Sequence, residues 1–288
     1  MSKLEFDPVI IIGMHRSGTS MVSRTIEALG LFQGIEKDTN NEAFLFQHIN
    51  DWLLRMSGGA WDYPGPFALL LGNARVRAGA VEFIRKRLAS RHAISFFGRS
   101  GAINFNTPAT VHAPWGWKDP RNTFTLPLWL DIFPNARVIH VLRHGVDVAA
   151  SLKARTEKIE NEASSSPGKN KKLRMNPLFR FHLPLVDTLR CTSLEGGFTL
   201  WEEYLCEARA HVQALKDHAI EFRYEDFLAD PTKNLLQLVE FCGLRASRDN
   251  VVRIADNALT SRAYAYRGNP ELEMFAASVA ARLGMHGY

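Results

Sequence analysis

The chain is 288 residues long, 46% hydrophobic and 23% charged, with a formal net charge of +5. That balance supports a full buried core and excludes disordered and fibrous classes, so the expectation is one α/β domain over residues 1–288. The modest positive charge suits a small polyanionic ligand. It falls short of the dense basic face that nucleic acid requires. Cys191, Cys206 and Cys242 are odd in number and scattered, with no C-x-x-C pair, which fits thiols of a reducing compartment and neither a disulfide frame nor a zinc site. The N-terminal stretch has no apolar signal core and no run reaches transmembrane length, so a cytoplasmic protein without a membrane span is expected.

In chain order, Val9 to Ile12 is a run of β-branched residues ended by glycine and predicts a buried parallel strand. Met21 to Leu29 has the pattern of a helix. Between them stands Gly13-Met-His-Arg-Ser-Gly-Thr-Ser20, which keeps the two glycines of the signature G-x-x-x-x-G-K-[ST] but has Thr19 where the lysine belongs. Gly13 and Gly18 permit backbone turns that converge N–H groups on an anion at the helix N-terminus. Arg16, Ser17, Thr19 and Ser20 add donors, and the Arg16 fork matches two oxygens of one anionic group. A capped strand-to-helix turn is the plain structural alternative.

A polar connection with Glu36 and Glu42 leads to a helix over Asn41 to Met56. Residues 58 to 75, rich in Gly and Pro, read as an irregular excursion, and Val76 to Arg91 as a basic amphipathic helix with a solvated face. From Val111 a second unit begins. A short extended segment ends in Trp115-Gly-Trp-Lys-Asp-Pro-Arg121, a helix spans Thr123 to Ile132, and the strand Arg137 to Leu142 follows, implying a parallel sheet. Arg143 then sits at a strand's carboxyl end, where open α/β sheets hold ligands, and Ser151 lies two helical turns on. His140, inside an apolar strand, reads as a core residue. Lys153 to Arg174 is polar and basic and predicts a mobile loop, either solvated or acting as a lid. A helix over Phe198 to Leu215, a strand over Ile220 to Arg223 and a helix over Pro231 to Cys242 complete the pattern.

Four blocks in this order, GMHRSGTS, WKDPRNTF, VIHVLRHGVDVAAS and FRYEDFLADP, resemble the sulfotransferases that use 3′-phosphoadenosine 5′-phosphosulfate (PAPS), particularly bacterial sulfotransferase-family proteins and tyrosylprotein sulfotransferases. The resemblance spans Val9 to Cys242. It implies a central parallel sheet flanked by helices in the phosphate-loop, nucleoside triphosphate hydrolase-like sulfotransferase fold, with PAPS as co-substrate and no metal. By that resemblance the loop from His15 through Arg16, Ser17, Gly18 and Thr19 to Ser20 holds the 5′-phosphosulfate, Arg143 and Ser151 hold the 3′-phosphate, and Tyr224 makes a further cofactor contact. Lys118 matches the family lysine near the transferred group. A strand-end packing role suits Tyr224 equally well.

A sulfuryl group carries less negative charge than a terminal phosphoryl, so donors with one or two cations suffice where a kinase needs magnesium and a loop lysine. The acceptor proton calls for a general base. Glu42 is the first choice, because Asn40-Asn-Glu-Ala-Phe-Leu-Phe46 resembles the Asn-Pro-Glu-Gly-Tyr-Phe stretch of bacterial members, from which it departs at the proline and glycine. Glu36, His48 and His15 are the other candidates. Arg262 or Arg267 matches the late basic segment over the 3′-phosphate. The acceptor, whether carbohydrate, small molecule, lipid or peptide, is not encoded in a motif, and neither is the oligomeric state. A kinase-like phosphotransferase and a non-catalytic nucleotide-binding scaffold are the alternative functions.

Overall fold

The computed structural model describes residues 6–98, 113–165, 189–256 and 263–288. Two compact units are present, Met1–Arg143 with Glu203–Ala263, and His144–Glu202 with Tyr264–Tyr288. In the first, β1 (Val9–Ile12), β2 (Gly116–Lys118), β3 (Arg137–Leu142) and β4 (Ala219–Arg223) form a sheet in the order β2-β1-β3-β4, every pair parallel. The helices of the first half are α1 (Thr19–Ala28), α2 (Phe44–Met56), α3 (Phe67–Gly72), α4 (Ala74–Leu88), α5 (Ile94–Phe97) and α6 (Asn122–Leu130). Those of the second half are α7 (Gly145–Ser165), α8 (Leu194–Leu215), α9 (Tyr224–Ala229), α10 (Pro231–Cys242), α11 (Arg248–Ala255), α12 (Pro270–Ser278) and α13 (Ala280–Met285).

The continuous apolar run of β1 is explained by burial on both faces. Val9 and Ile11 pack with Val22 and Ile26 of α1, Phe227 of α9 and Leu235 of α10, whereas Ile10 and Ile12 join Phe46, Trp117 and Trp129. The Phe46 and Trp117 rings stack with centroids 3.9 Å apart, which pins the first turn of α2 over β2. Each such fully buried aromatic side chain contributes about 3 kcal/mol of apolar burial. Because Glu42 lies four residues before Phe46 and Lys118 directly follows Trp117, this stack also sets the distance between those two charges. At α10, Asp230 accepts the Lys233 N–H at 3.0 Å with Pro231 in the first turn, and Gly243 ends the helix at φ 66°.

The second unit is built on close helix contact. A Cβ on Gly145 would come within 2.7 Å of Phe198 and Trp201, and one on Gly197 within 3.1 Å of the Ala149 backbone. The Asp147 carboxylate accepts the backbone N–H groups of Ala265 (3.1 Å) and Tyr266 (2.8 Å), and Arg282 pairs with Glu195 and Glu202.

Two expectations are corrected. The segment from Lys153 is helical up to Ser165, because its Ala, Glu, Lys and Arg content favours helix and Lys153–Glu157 and Lys158–Glu162 pair one turn apart. Its remainder, 166–174, lies outside the described residues, as does Val111. Within 58–75, Phe67–Gly72 forms the short helix α3, anchored by buried Phe67 and Leu70. Among the described residues no helix is long and apolar enough to cross a membrane. No group of three or more His, Cys, Asp or Glu side chains is gathered there as a metal site.

Candidate active site

The loop after β1 turns through positive φ at Gly13 (133°), Arg16 (72°) and Gly18 (92°). Neither glycine can be replaced without displacement, since a Cβ at residue 13 would lie 2.3 Å from the Val141 carbonyl oxygen and one at residue 18 would lie 2.3 Å from the Tyr224 ring. The Gly13 N–H donates to Thr123 Oγ1 of α6 at 3.1 Å, which ties the loop to the far side of the sheet. Ser17 and Thr19 are buried, whereas Arg16 is exposed. Ser17 Oγ has no hydrogen-bond partner among the described residues, an arrangement that costs free energy until a ligand oxygen or water meets it.

His15 sits edge-on to Trp61, with ring centroids 4.7 Å apart, and near buried Tyr204, whose hydroxyl donates to the Trp61 carbonyl at 2.7 Å. Arg143, at the end of β3, lays its guanidinium 4.8 Å over the Tyr224 ring, and its Nη1 approaches the Arg16 carbonyl at 3.5 Å. One tyrosine thus packs against the loop glycine and carries the strand-end arginine. Ser151 belongs to α7 in the second unit, and that unit also holds Arg267, whose guanidinium lies 4.4 Å over the Tyr264 ring. Arg262 lies outside the described residues.

Lys118 is no surface lysine; it is 1% exposed. Its Nζ donates to Ser20 Oγ at 3.2 Å and to Glu42 Oε1 at 3.0 Å, joining the loop to the carboxylate. Glu42 Oε2 accepts from Arg121 Nη2 at 2.8 Å and Gln47 Nε2 at 3.0 Å. Burial alone would raise the Glu42 pKa, but the Lys118 and Arg121 cations outweigh it and hold the carboxyl below its ordinary range. Asp119 is raised to about 6 by burial, against the pull of Arg121 and with the added repulsion of Glu42. Burial opposes the charge on Arg121, and the Asp119 and Glu42 carboxylates overcome it and raise its pKa.

The other base candidates stand apart from this cluster. Glu36 is exposed, its N–H bonded to the Ser95 carbonyl, and His48 is exposed and stacked on Phe44. His140 is a core residue as expected. Burial holds its pKa down despite Glu221, so the contact of 2.9 Å is a neutral imidazole N–H donating to the Glu221 carboxylate.

Sequence reasoning missed Asn50, Asp119, Arg121 and Asn122. Asn50 Nδ2 donates to Asp119 Oδ2 (2.9 Å) and Asn122 Oδ1 (2.7 Å), while its Oδ1 accepts from Thr125 Oγ1 (2.8 Å) and Trp129 Nε1 (2.9 Å). The signal was there: a lone asparagine among the buried positions of α2, and the polar residues flanking Lys118 in its own motif.

A family model described as the sulfotransferase family matches residues 8–248. Among solved structures, a sulfotransferase domain from the curacin biosynthetic pathway is 13% identical and covers 96% of this chain and 99% of its own, with a TM-score of 0.47. A sulfotransferase from Mycobacterium avium is 13% identical (97% and 76% covered, TM-score 0.48), and one from Alicyclobacillus acidocaldarius is 15% identical (98% and 95% covered, TM-score 0.45). No curated protein matches. With the family model covering the strand–loop–helix, the Lys118 strand end and the Arg143 strand end together, the chain belongs to the sulfotransferase family.

Proposed function

We propose that this chain transfers a sulfuryl group from PAPS to a hydroxyl or amine of an acceptor. The observation that carries the reading is Lys118, buried and bonded at once to the loop hydroxyl of Ser20 and the carboxylate of Glu42. The donor set fits an anionic co-substrate: glycine turns, a buried Ser17 hydroxyl lacking a partner among the described residues, exposed Arg16, and Arg143 at the neighbouring strand end. PAPS supplies an activated sulfuryl group on a phosphate leaving group. Residues 15–20 bind the phosphosulfate end, and Arg143, Ser151 and Tyr224 bind the 3′-phosphoadenosine end.

A lysine ammonium has three donors, and two of those on Lys118 are engaged by Ser20 and Glu42. The third serves the oxygen on which negative charge collects as the sulfur–oxygen bond to the leaving phosphate breaks. Such stabilisation is effective because the site is buried and already organised. Glu42 is ionised at neutral pH and takes the proton of the attacking acceptor. Arg16, on the exposed side of the loop, adds a second cation. The cytoplasm is the compartment proposed, in keeping with the scattered thiols.

Titration calorimetry with 3′-phosphoadenosine 5′-phosphate tests this reading. Micromolar binding is expected without magnesium, and Arg143→Ala should weaken it by about tenfold or more, as for a lost charge-assisted hydrogen bond. No binding, or magnesium-dependent binding of ATP in its place, would overturn it.

A further inference from the structure

The two oxygens of Glu42 are treated differently. Among the described residues Oε1 bonds to Lys118 alone, whereas Oε2 receives both Arg121 Nη2 and Gln47 Nε2. The backbone is already fixed, since the Glu42 N–H donates to Asp38 Oδ1 at 2.8 Å and its carbonyl accepts from the Asp38 N–H at 2.9 Å. What the Arg121 and Gln47 contacts add is control over rotation of the carboxylate itself.

Arg121 is gripped from behind. Its Nε lies 2.9 Å from Asp119 Oδ1 and 3.2 Å from Oδ2, and its backbone N–H donates to Oδ1 at 3.0 Å. Asp119 is in turn held by Asn50, and both are fully buried. A guanidinium is a planar, rigid fork, so fixing its Nε side on one carboxylate directs its Nη2 at the other. The arrangement runs Asn50, Asp119, Arg121, Glu42, with each bond at or below 3.2 Å.

We propose that Arg121 is the positioning residue of the general base: clamped by Asp119, it pins Glu42 Oε2 and leaves Oε1, on the Lys118 side, as the oxygen that receives the acceptor's proton. The proton passes from the acceptor oxygen or nitrogen to Oε1 as the acceptor's electron pair forms the new bond to sulfur and the bond from sulfur to the leaving phosphate breaks. The assignment rests on Glu42 being the base. A purely structural ion pair needs only net charge at position 121. A positioning role needs the fork, so arginine and lysine should not be equivalent there.

The test uses the full chain labelled with 13C at glutamate Cδ, with Glu42 identified by the resonance missing from Glu42→Gln. In the unaltered protein that resonance should titrate below the ordinary glutamate range. In Arg121→Gln the midpoint should rise by about one to three pH units, the size of a neighbouring-cation effect, with affinity for 3′-phosphoadenosine 5′-phosphate held within about twofold. Arg121→Lys, which keeps the charge and carries the same test if the glutamine variant fails to fold, should give an intermediate rise. A Glu42 titration unmoved in folded Arg121→Gln, or Arg121→Lys matching the unaltered protein, overturns the proposal. Release of 3′-phosphoadenosine 5′-phosphate from PAPS separates the two ideas. Undiminished release by Glu42→Gln would remove the base reading, whereas loss of release with an unmoved titration would remove only the role of Arg121.

Discussion

The loop after β1 and the carboxyl end of β2 lie on neighbouring strands and handle polar groups in opposite ways. The loop uses glycine turns and positive φ to present groups it does not itself satisfy: Arg16 is exposed, and the Ser17 hydroxyl is buried with no partner among the described residues. The β2 end buries Lys118 and Asp119, partly buries Arg121, and satisfies all three internally with Glu42, Asn50 and Ser20. Buried charges of this kind are tolerated only when paired and hydrogen-bonded. On the proposed function, the difference separates a receptor from machinery: the loop leaves contacts for a ligand, whereas the β2 end holds its groups in place before anything binds.

The two regions should therefore respond oppositely to truncation. The largest expected effect is at Asn50. Asn50→Ala removes four buried hydrogen bonds and leaves the buried Trp129 Nε1 without its acceptor, so it should cost roughly 3 kcal/mol in denaturant unfolding. Binding of 3′-phosphoadenosine 5′-phosphate to the fraction that stays folded should be little changed. A loss of affinity without a loss of stability would erase the contrast.

The second effect is one of pH. The Asp119 carboxyl titrates near 3.8 when unfolded and near 6 when folded, so the folded state binds more protons between those values and loses stability as pH rises through them. Asp119→Asn removes that penalty. The stability of the variant relative to the unaltered protein should therefore climb by an order of 2 kcal/mol between about pH 4 and 6 and level off above. A difference flat in pH would mean that Asp119 is ionised throughout and the cluster less tightly closed.

The smallest effect belongs to the loop. Ser17→Ala deletes a buried hydroxyl without a described partner, so stability should hold or rise by up to about 1 kcal/mol while affinity for 3′-phosphoadenosine 5′-phosphate drops by about tenfold. Thermal unfolding with and without the nucleotide reads both. A destabilised variant with unchanged affinity would make Ser17 part of the scaffold.

The elements that local pattern governs were legible. Val9–Ile12, Arg137–Leu142 and Pro231–Cys242 follow from β-branched runs and from an Asp-Pro start with a glycine stop, and their limits agree with the structure. The helix through Lys153 was not, because a basic, Ser-rich composition masks charge pairs that form only once the helix exists. Within the site, the loop was readable as spacing. The pairing of Lys118 with Glu42 was not, since 76 residues separate them in sequence and the Phe46–Trp117 stack brings them together. Asp119 and Arg121 were in view beside Lys118, but two opposite charges flanking a proline at a turn usually face solvent; only the structure shows Asp119 fully buried and Arg121 nearly so.

The Tyr224 ring occupies the space that a side chain at residue 18 would need, and the same ring carries Arg143. For evolution this makes positions 18 and 224 a single joint character. Any lineage that enlarges residue 18 must first shrink residue 224, and the shrinkage removes the seat of the arginine. The loop's second glycine is therefore guarded twice, by its own left-handed backbone turn and by an aromatic ring more than two hundred residues away in sequence.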